Sequence, residues 1–208
     1  MPKGGLIIIS APSGTGKSTV CRRLLQRRKD LRYSVSCTTR APRPAERNGR
    51  HYHFLSHEDF KRRIQRHEFL EWALVHGQYY GTPRRFIDDC AGEGRFVLLA
   101  IDVQGAAAIR RKLPESVLIF LMPPSWAELR SRLAGRRDDS DSVAARLANA
   151  RGELREAKKY DYIVTNDDLE RAADEIECIL TAESLKTSRW DLAGLPLLTG
   201  DDQGPRTA

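Results

Sequence analysis

The stretch Ala11-Pro12-Ser13-Gly14-Thr15-Gly16-Lys17-Ser18-Thr19 is where residue type and spacing point most directly to chemistry. It meets the phosphate-gripping pattern G-x-x-x-x-G-K-[ST] everywhere except the first position, where Ala11 replaces Gly. Glycines let backbone N–H groups turn inward and approach phosphate oxygens without interference from a Cβ. A helix that starts immediately afterwards adds its partial positive charge. In such a cradle Lys17 reaches the β- and γ-phosphates of a nucleoside triphosphate, and the Ser18 hydroxyl is a ligand for Mg²⁺. One methyl group at the strand exit does not block the cradle, so the Ala11 departure is mild. A second constellation begins at Ser36-Cys37-Thr38-Thr39-Arg40-Ala41-Pro42-Arg43, with two arginines three residues apart and prolines fixing the turn. Glu46, Gly49, Tyr52, Glu71, the run Gly77-Gln78-Tyr79-Tyr80-Gly81-Thr82, and Asp102-Val103-Gln104-Gly105 follow. Guanidinium forks match phosphate oxygens bidentately and phenol hydroxyls add neutral donors. Taken one at a time these residues read equally well as a surface arginine, a strand aromatic or a solvated glutamate. The order of the whole set carries the argument.

Positioning these residues requires a layered fold. Leu6–Ser10, Phe96–Ile101, Val117–Leu121 and Tyr162–Val164 are short, continuous apolar runs, the pattern of strands buried on both faces of a parallel sheet. Helices are predicted after them: one over about Lys17–Lys29, one opened by the capping box Ser125-Trp126-Ala127-Glu128 and closed near Gly135, and one whose apolar face is Leu169, Ala172, Ala173, Ile176, Ile179 and Leu180. Right-handed crossovers turn this alternation into an α/β core, a parallel sheet carrying the phosphate loop and flanked by helices. Two segments break the rhythm. Residues 35–94 carry short aromatic, alternating stretches around a helical piece near Ser56–Arg66, which suits a small mixed α+β insert. Residues 131–156 are dense in charge and poor in large apolar groups, as a helical lid would be. The expected division is a single domain over 4–186, with core segments 4–34, 95–130 and 157–186, and a flexible tail over 187–208.

Composition narrows the classes. The chain has 208 residues, 40% of them hydrophobic, enough to bury a sizeable core. No apolar run approaches the roughly 20 residues of a membrane span, and Leu6–Ile9 is too short for a signal peptide. Cys21, Cys37, Cys90 and Cys178 are scattered, with no C-x-x-C pair, which suits reduced thiols in the cytoplasm. The net charge of +7 fits either nucleic acid or polyphosphate ligands. No nucleic-acid-binding fold motif is recognisable, so no nucleic-acid partner is expected.

The signatures A-P-S-G-x-G-K-S, T-T-R-x-P-R, Y-Y-G-T, I-D-x-Q-G and N-D-D at Asn166-Asp167-Asp168 run in one order from about residue 5 to residue 185. In this the chain resembles the guanylate kinases, P-loop nucleoside monophosphate kinases that convert GMP and ATP to GDP and ADP in purine nucleotide metabolism and GMP recycling. The resemblance implies that Ala11 to Thr19, with Asn166, hold ATP, and that Ser18 meets Mg²⁺. It implies that Arg40, Arg43, Tyr52 and Tyr80 hold the GMP phosphate, while Ser36, Glu71, Thr82 and Asp102 read guanine. Lys17 and the lid arginines Arg132, Arg136 and Arg146 would serve the transfer itself. A carboxylate such as Glu71 can accept from both N1–H and the 2-amino group of guanine, whereas adenine offers neither donor there. ATP and GMP, with dGMP as an alternative acceptor, are the expected partners, and a homo-oligomer is left open.

Two departures from the family pattern stand out. Ala100 replaces the first aspartate of the usual L-D-I-D, although Asp102 is retained, and Arg137 stands where Gly is usual. Activity is expected to survive both. Three rival readings are weaker. A catalytically silent scaffold domain would typically lose the cradle that Gly14, Gly16, Lys17 and Ser18 preserve. A kinase for another acceptor, such as a ribose bisphosphate, would lack the paired tyrosines together with Glu71 and Asp102. A basic nucleic-acid binder has no motif in its favour.

Overall fold

The structure, a computed structural model, describes residues 3–75, 77–135 and 142–192. Its core is a five-stranded parallel sheet made of β1 (Leu6–Ser10), β2 (Leu31–Tyr33), β7 (Phe96–Ala100), β8 (Val117–Met122) and β9 (Tyr162–Thr165), in the order β2-β7-β1-β8-β9. Strand β1 is central, pairing with β7 on one side and β8 on the other, so Leu6-Ile7-Ile8-Ile9 is buried on both faces. Side-chain alternation sorts these residues into two layers. Ile7 and Ile9 pack with Leu98, Ile119 and Leu121 against Val20 and Leu24 of α1 (Lys17–Arg27) and Ala172, Ala173, Ile176 and Leu180 of α7 (Leu169–Ser184). Leu6 and Ile8 pack on the other face with Val97, Leu99 and Leu118 against Ala106 and Ile109 of α4 (Val103–Lys112). Each fully buried aliphatic side chain contributes roughly 1.5–3 kcal/mol, so the four residues of β1 anchor the loop that follows them.

The second sheet has four strands, β3 (Cys37–Thr38), β4 (His53–Phe54), β5 (Phe69–Val75) and β6 (Gln78–Pro83), in the order β4-β3-β6-β5. It is mixed, with β3 and β4 parallel and β3-β6 and β6-β5 antiparallel. Helix α2 (His57–Gln65) closes it: Phe60 stacks on Phe69, with ring centroids 4.4 Å apart, and on Tyr79 at 5.2 Å. Ser56 caps α2 by accepting from the Asp59 N–H. Strand β5 joins the two sheets. Phe69 belongs to the small cluster under α2, whereas its neighbour Leu70 packs in the main core beside Ile87 and Cys90 of α3 (Arg84–Gly92). The segment 35–94 is therefore fastened to the core along β5 and α3.

Helices α5 (Trp126–Ala134) and α6 (Val143–Glu156) form a hairpin around Leu129, Leu133 and Ala150. Ser125 caps α5 as expected, accepting from the Glu128 N–H at 3.1 Å, but the Glu128 carboxylate turns to Arg132 instead of closing the box. Gly135 ends α5 without a left-handed residue, at φ −73. Thr187–Arg189, at the start of the expected tail, form a 3₁₀ turn. Arg189 is buried there, donates to the Glu183 and Gly4 carbonyls and lies over the Phe96 ring. Buried apolar contact and charge-assisted hydrogen bonds fasten this turn to the start of β1. Residues 193–208 of the expected tail lie outside the described residues.

Candidate functional site

Strand β1 delivers the chain at Ala11 into a turn whose shape depends on two glycines, Gly14 at φ +87 and Gly16 at φ +95. A Cβ on Gly16 would stand 2.6 Å from Asn166 Nδ2, and one on Gly14 would meet Leu133 Cδ2 at 3.0 Å. Ala11 is buried and does not take a positive φ, so Ala at the first position of the pattern costs the loop nothing in backbone strain. Pro12 accepts from the Thr15 N–H at 3.2 Å. Gly16 is the N-cap of α1, and no side chain caps that helix. The helix end is thus shaped to receive an anion rather than closed by the protein's own hydroxyl. Lys17 lies in its first turn and donates to the Ile101 carbonyl at 2.7 Å, which carries the ammonium across to the end of β7. Burial lowers its pKa, and Asp102 and Glu153 work in the opposite direction. Ser13, Ser18 and Thr19 are exposed at the mouth of the loop.

Of the residues expected to hold a second ligand, Ser36, Tyr52, Glu71, Tyr80 and Asp102 line, together with Lys17, a cavity of about 190 Å³ between the two sheets, while Arg40, Arg43 and Thr82 are not among its lining residues. Ala100 also lines it, so the departure from the family pattern lies on the cavity wall. Arg40 sits with its guanidinium 5.6 Å from the ring centroid of the lining residue Tyr52, and Tyr52 meets Tyr80 edge-on at 6.0 Å. Arg40 Nη2 donates to both carboxylate oxygens of Glu46 at 2.8 Å, and the Arg43 N–H donates to the same carboxylate at 2.8 Å. Glu46 presents to Arg40 the planar pair of oxygens that a phosphate would present. The sequence alone singled out no role for it, since a glutamate in a charged turn reads as surface. Near the other wall Glu71 is only 6% exposed and accepts from the Thr82 hydroxyl at 2.6 Å. Burial raises the Glu71 pKa and the Asp102 carboxylate raises it further, against the pull of the Thr82 hydrogen bond. Asp102 caps α4 by accepting from the Gly105 N–H at 2.8 Å. Its carboxylate is thereby aimed by the helix end.

Helix α5 touches the glycine-rich loop. Arg132 Nη1 donates to the Thr15 carbonyl at 3.4 Å and to the Asn166 carbonyl at 3.5 Å, while its Nε holds Glu128 at 2.7 Å. Arg146 is buried on α6. Arg136 and Arg137 lie outside the described residues. Asn166 is buried at the end of β9 and donates its amide to the Thr15 carbonyl at 2.6 Å, so in this structure it braces the loop from behind. The sequence singles out no role for Glu153, yet its carboxylate lies in the field of Lys17: burial raises its pKa and the Lys17 ammonium opposes that rise. Its only signal in the sequence is its place seven residues after Arg146.

Among the described residues no three His, Cys, Asp or Glu side chains gather to hold a metal ion. What the loop does offer is a hard oxygen donor, the exposed Ser18 hydroxyl beside Lys17. That chemistry fits a small cation such as Mg²⁺, which keeps several waters and enters with nucleotide phosphates rather than occupying a protein cage.

Comparison with known proteins extends the match over nearly the whole chain. The guanylate kinase family model matches residues 3–183. The guanylate kinase of Symbiobacterium thermophilum is 49% identical over 189 residues, covering 90% of each chain. That of Rhizobium meliloti is 50% identical over 189 residues, covering 90% of this chain and 86% of the relative. The crystal structure of guanylate kinase from Anaplasma phagocytophilum superimposes with a TM-score of 0.81 at 38% identity, covering 97% of this chain and 96% of that one. The fold with its five-stranded parallel core therefore matches that of a relative solved by experiment, and on this agreement the chain belongs to the guanylate kinase family of nucleoside monophosphate kinases.

Proposed function

We propose that this cleft catalyses transfer of the γ-phosphoryl group of Mg²⁺-bound ATP to GMP, giving ADP and GDP, and that dGMP serves as a second acceptor because no assigned residue is devoted to the ribose hydroxyls. The observation that carries this reading is the sharing of one cavity by Lys17, the paired tyrosines and the buried Glu71. A phosphate-gripping lysine, a phosphate-binding wall and a base-reading carboxylate thus meet in one space. The uncapped end of α1, the loop amides and Lys17 would bind the triphosphate. Ser18 together with the phosphate oxygens would hold Mg²⁺, which when bound neutralises charge on the β- and γ-phosphates. On the facing wall Arg40 and Arg43 would take the acceptor phosphate, with Arg40 exchanging the Glu46 carboxylate for phosphate oxygens of similar geometry. Glu71, steered by Thr82, would accept from N1–H and the 2-amino group of guanine, while Ser36 and Asp102 complete the base wall.

No general base is needed. The second pKa of a phosphate monoester is near ~6, so the acceptor is largely dianionic at neutral pH. One of its oxygens forms the new bond to the γ-phosphorus as the bond from that phosphorus to the β–γ bridging oxygen breaks, and ADP leaves carrying the former bridging oxygen on its β-phosphate. Lys17, Arg132, Arg136 and Arg146 would offset the charge on the transferring group, and the α5–α6 hairpin would exclude water from it. Reduced cysteines and a cytoplasmic setting suit such a reaction: the four cysteines are free. Among the described residues no helix is long and apolar enough to cross a membrane.

The test is product analysis after incubation with Mg²⁺-ATP and, separately, GMP, dGMP, AMP, CMP and UMP. GDP and dGDP are the expected products. Faster phosphorylation of AMP than of GMP would overturn the base-reading role of Glu71.

A further inference from the structure

Thr38 and Thr39 stand where β3 ends and the chain turns away toward Arg40 and Arg43. In the antiparallel register Thr38 lies opposite Tyr80 of β6. Both backbone groups of the neighbouring Tyr79 are taken by the two threonines. Its carbonyl accepts from the Thr39 N–H at 3.0 Å and from the Thr38 hydroxyl at 2.9 Å, and its N–H donates to Thr39 Oγ1 at 2.9 Å. The Arg40 N–H, past the end of the strand, finds its acceptor in Thr38 Oγ1 at 3.2 Å. A threonine hydroxyl has one proton to give and lone pairs to receive with. That of Thr38, which is buried, gives its proton to the strand leading into Tyr80 and receives the backbone N–H of Arg40. A hydroxyl bonded only to the backbone two residues on would move with its own turn. This one is also seated on a second strand, so it fixes the turn relative to Tyr80, which lines the cavity.

We infer that Thr38 is a positioning residue for the acceptor: its hydroxyl hangs the Arg40 backbone on the Tyr79 carbonyl, so that Arg40 and Tyr80 present one phosphate-binding wall at a fixed spacing. This rests on the roles of Arg40 and Tyr80 proposed above. Thr39 duplicates the hold on Tyr79 but not the hold on Arg40. Loss of the Thr38 hydroxyl therefore leaves Tyr80 tethered and releases chiefly the arginine. A backbone N–H that loses its acceptor gains by turning toward water, and at Arg40 that movement carries the guanidinium with it. The triphosphate loop follows β1 in the other sheet, so the device acts on the acceptor and not on ATP.

The test is a double-mutant cycle on the full chain with Mg²⁺-ATP and GMP, using Thr38→Val, Thr38→Ala, Thr38→Ser, Arg40→Ala and the Thr38→Val/Arg40→Ala pair, with thermal melts as a check on folding. Thr38→Val keeps the shape and loses the hydroxyl. It should raise the KM for GMP about fivefold or more and leave the KM for ATP within about twofold. Thr38→Ser keeps the hydroxyl and should stay within about twofold of the parent for both substrates. In the Arg40→Ala background, adding Thr38→Val should cost less than about twofold, because the residue it positions is gone. An unchanged KM for GMP in Thr38→Val, equal rises for GMP and ATP, a Ser variant as impaired as the Val variant, or full additivity overturns the inference while leaving Arg40 in its role. So does failure of both Thr38→Val and Thr38→Ala to fold where Arg40→Ala folds, since the hydroxyl is then structural. An Arg40→Ala protein with an unchanged KM for GMP removes the role of Arg40 and the inference with it.

Discussion

Replacing Glu71 by Gln keeps the shape of the side chain and exchanges one acceptor oxygen for a donor. The Thr82 hydroxyl already claims Oε1 at 2.6 Å, so guanine's two donors must share the remaining lone pairs of the carboxylate. The variant loses at least one charge-assisted hydrogen bond, about 1.5–3 kcal/mol, which corresponds to about a 10- to 150-fold fall in kcat/KM for GMP. The fall should be carried mainly by KM, since the base is bound before and during transfer alike. The KM for ATP should not move, because Glu71 lies on the acceptor wall. A pH series gives a second, independent reading. Burial and the neighbouring Asp102 hold the Glu71 pKa above the ordinary 4.5. Only the ionised carboxylate can accept both guanine donors, so the KM for GMP should rise as pH falls toward and through that raised value. The Gln variant should lack this rise. Stability has the opposite sign: with the folded pKa raised, the protonated form favours the fold, and that contribution is lost as pH rises through the raised value. Glu71→Gln should therefore melt higher than the parent at neutral pH in the absence of GMP. Steady-state ADP release and thermal melts measure both. An unchanged KM for GMP, or equal rises for GMP and ATP, would refute the assignment of Glu71 to the base.

Three further perturbations probe the rest of the site. Gly16→Ala places a Cβ 2.6 Å from Asn166 Nδ2 at φ +95, a strain of about 1–3 kcal/mol, and should raise the KM for ATP about tenfold or more; unchanged ATP binding by calorimetry would contradict the cradle geometry. Arg43→Ala should raise the KM for GMP about tenfold or more while leaving the ATP Kd within about twofold, whereas equal weakening of both would make the residue structural. Arg189→Ala removes a buried guanidinium that ties the end of the described chain to Gly4 and Glu183; it should cost about 2–4 kcal/mol, or roughly 5–15 °C in Tm, with kcat unaltered, and an unshifted melt would show that this turn carries no stability.

The sequence made the central strands and the loop legible because both follow strong local rules. Continuous Ile-rich runs can only be buried strands in a sheet of this kind, and Gly14-Thr15-Gly16-Lys17 restricts its own backbone. Strand β2 escaped notice for the converse reason: Leu31–Tyr33 has three residues, one of them Arg32, and owes its place to pairing with β7. Long-range partners were equally invisible. Nothing local to Asn166 says that its amide will brace Thr15, and nothing in a charged turn says that Glu46 will hold Arg40. Helix α6, in the charge-dense segment 131–156, was legible in the sequence. Its attachment was not, because Leu129, Leu133 and Ala150 form a contact surface only once α5 and α6 fold back on each other.

The most direct test of the account is a crystal structure of the protein with GMP and a non-hydrolysable ATP analogue. The account predicts triphosphate oxygens at the end of α1 beside Lys17, and the GMP phosphate on Arg40 in place of the Glu46 carboxylate, with guanine against Glu71. A complex in which Arg40 still grips Glu46 and the GMP phosphate lies elsewhere would contradict it.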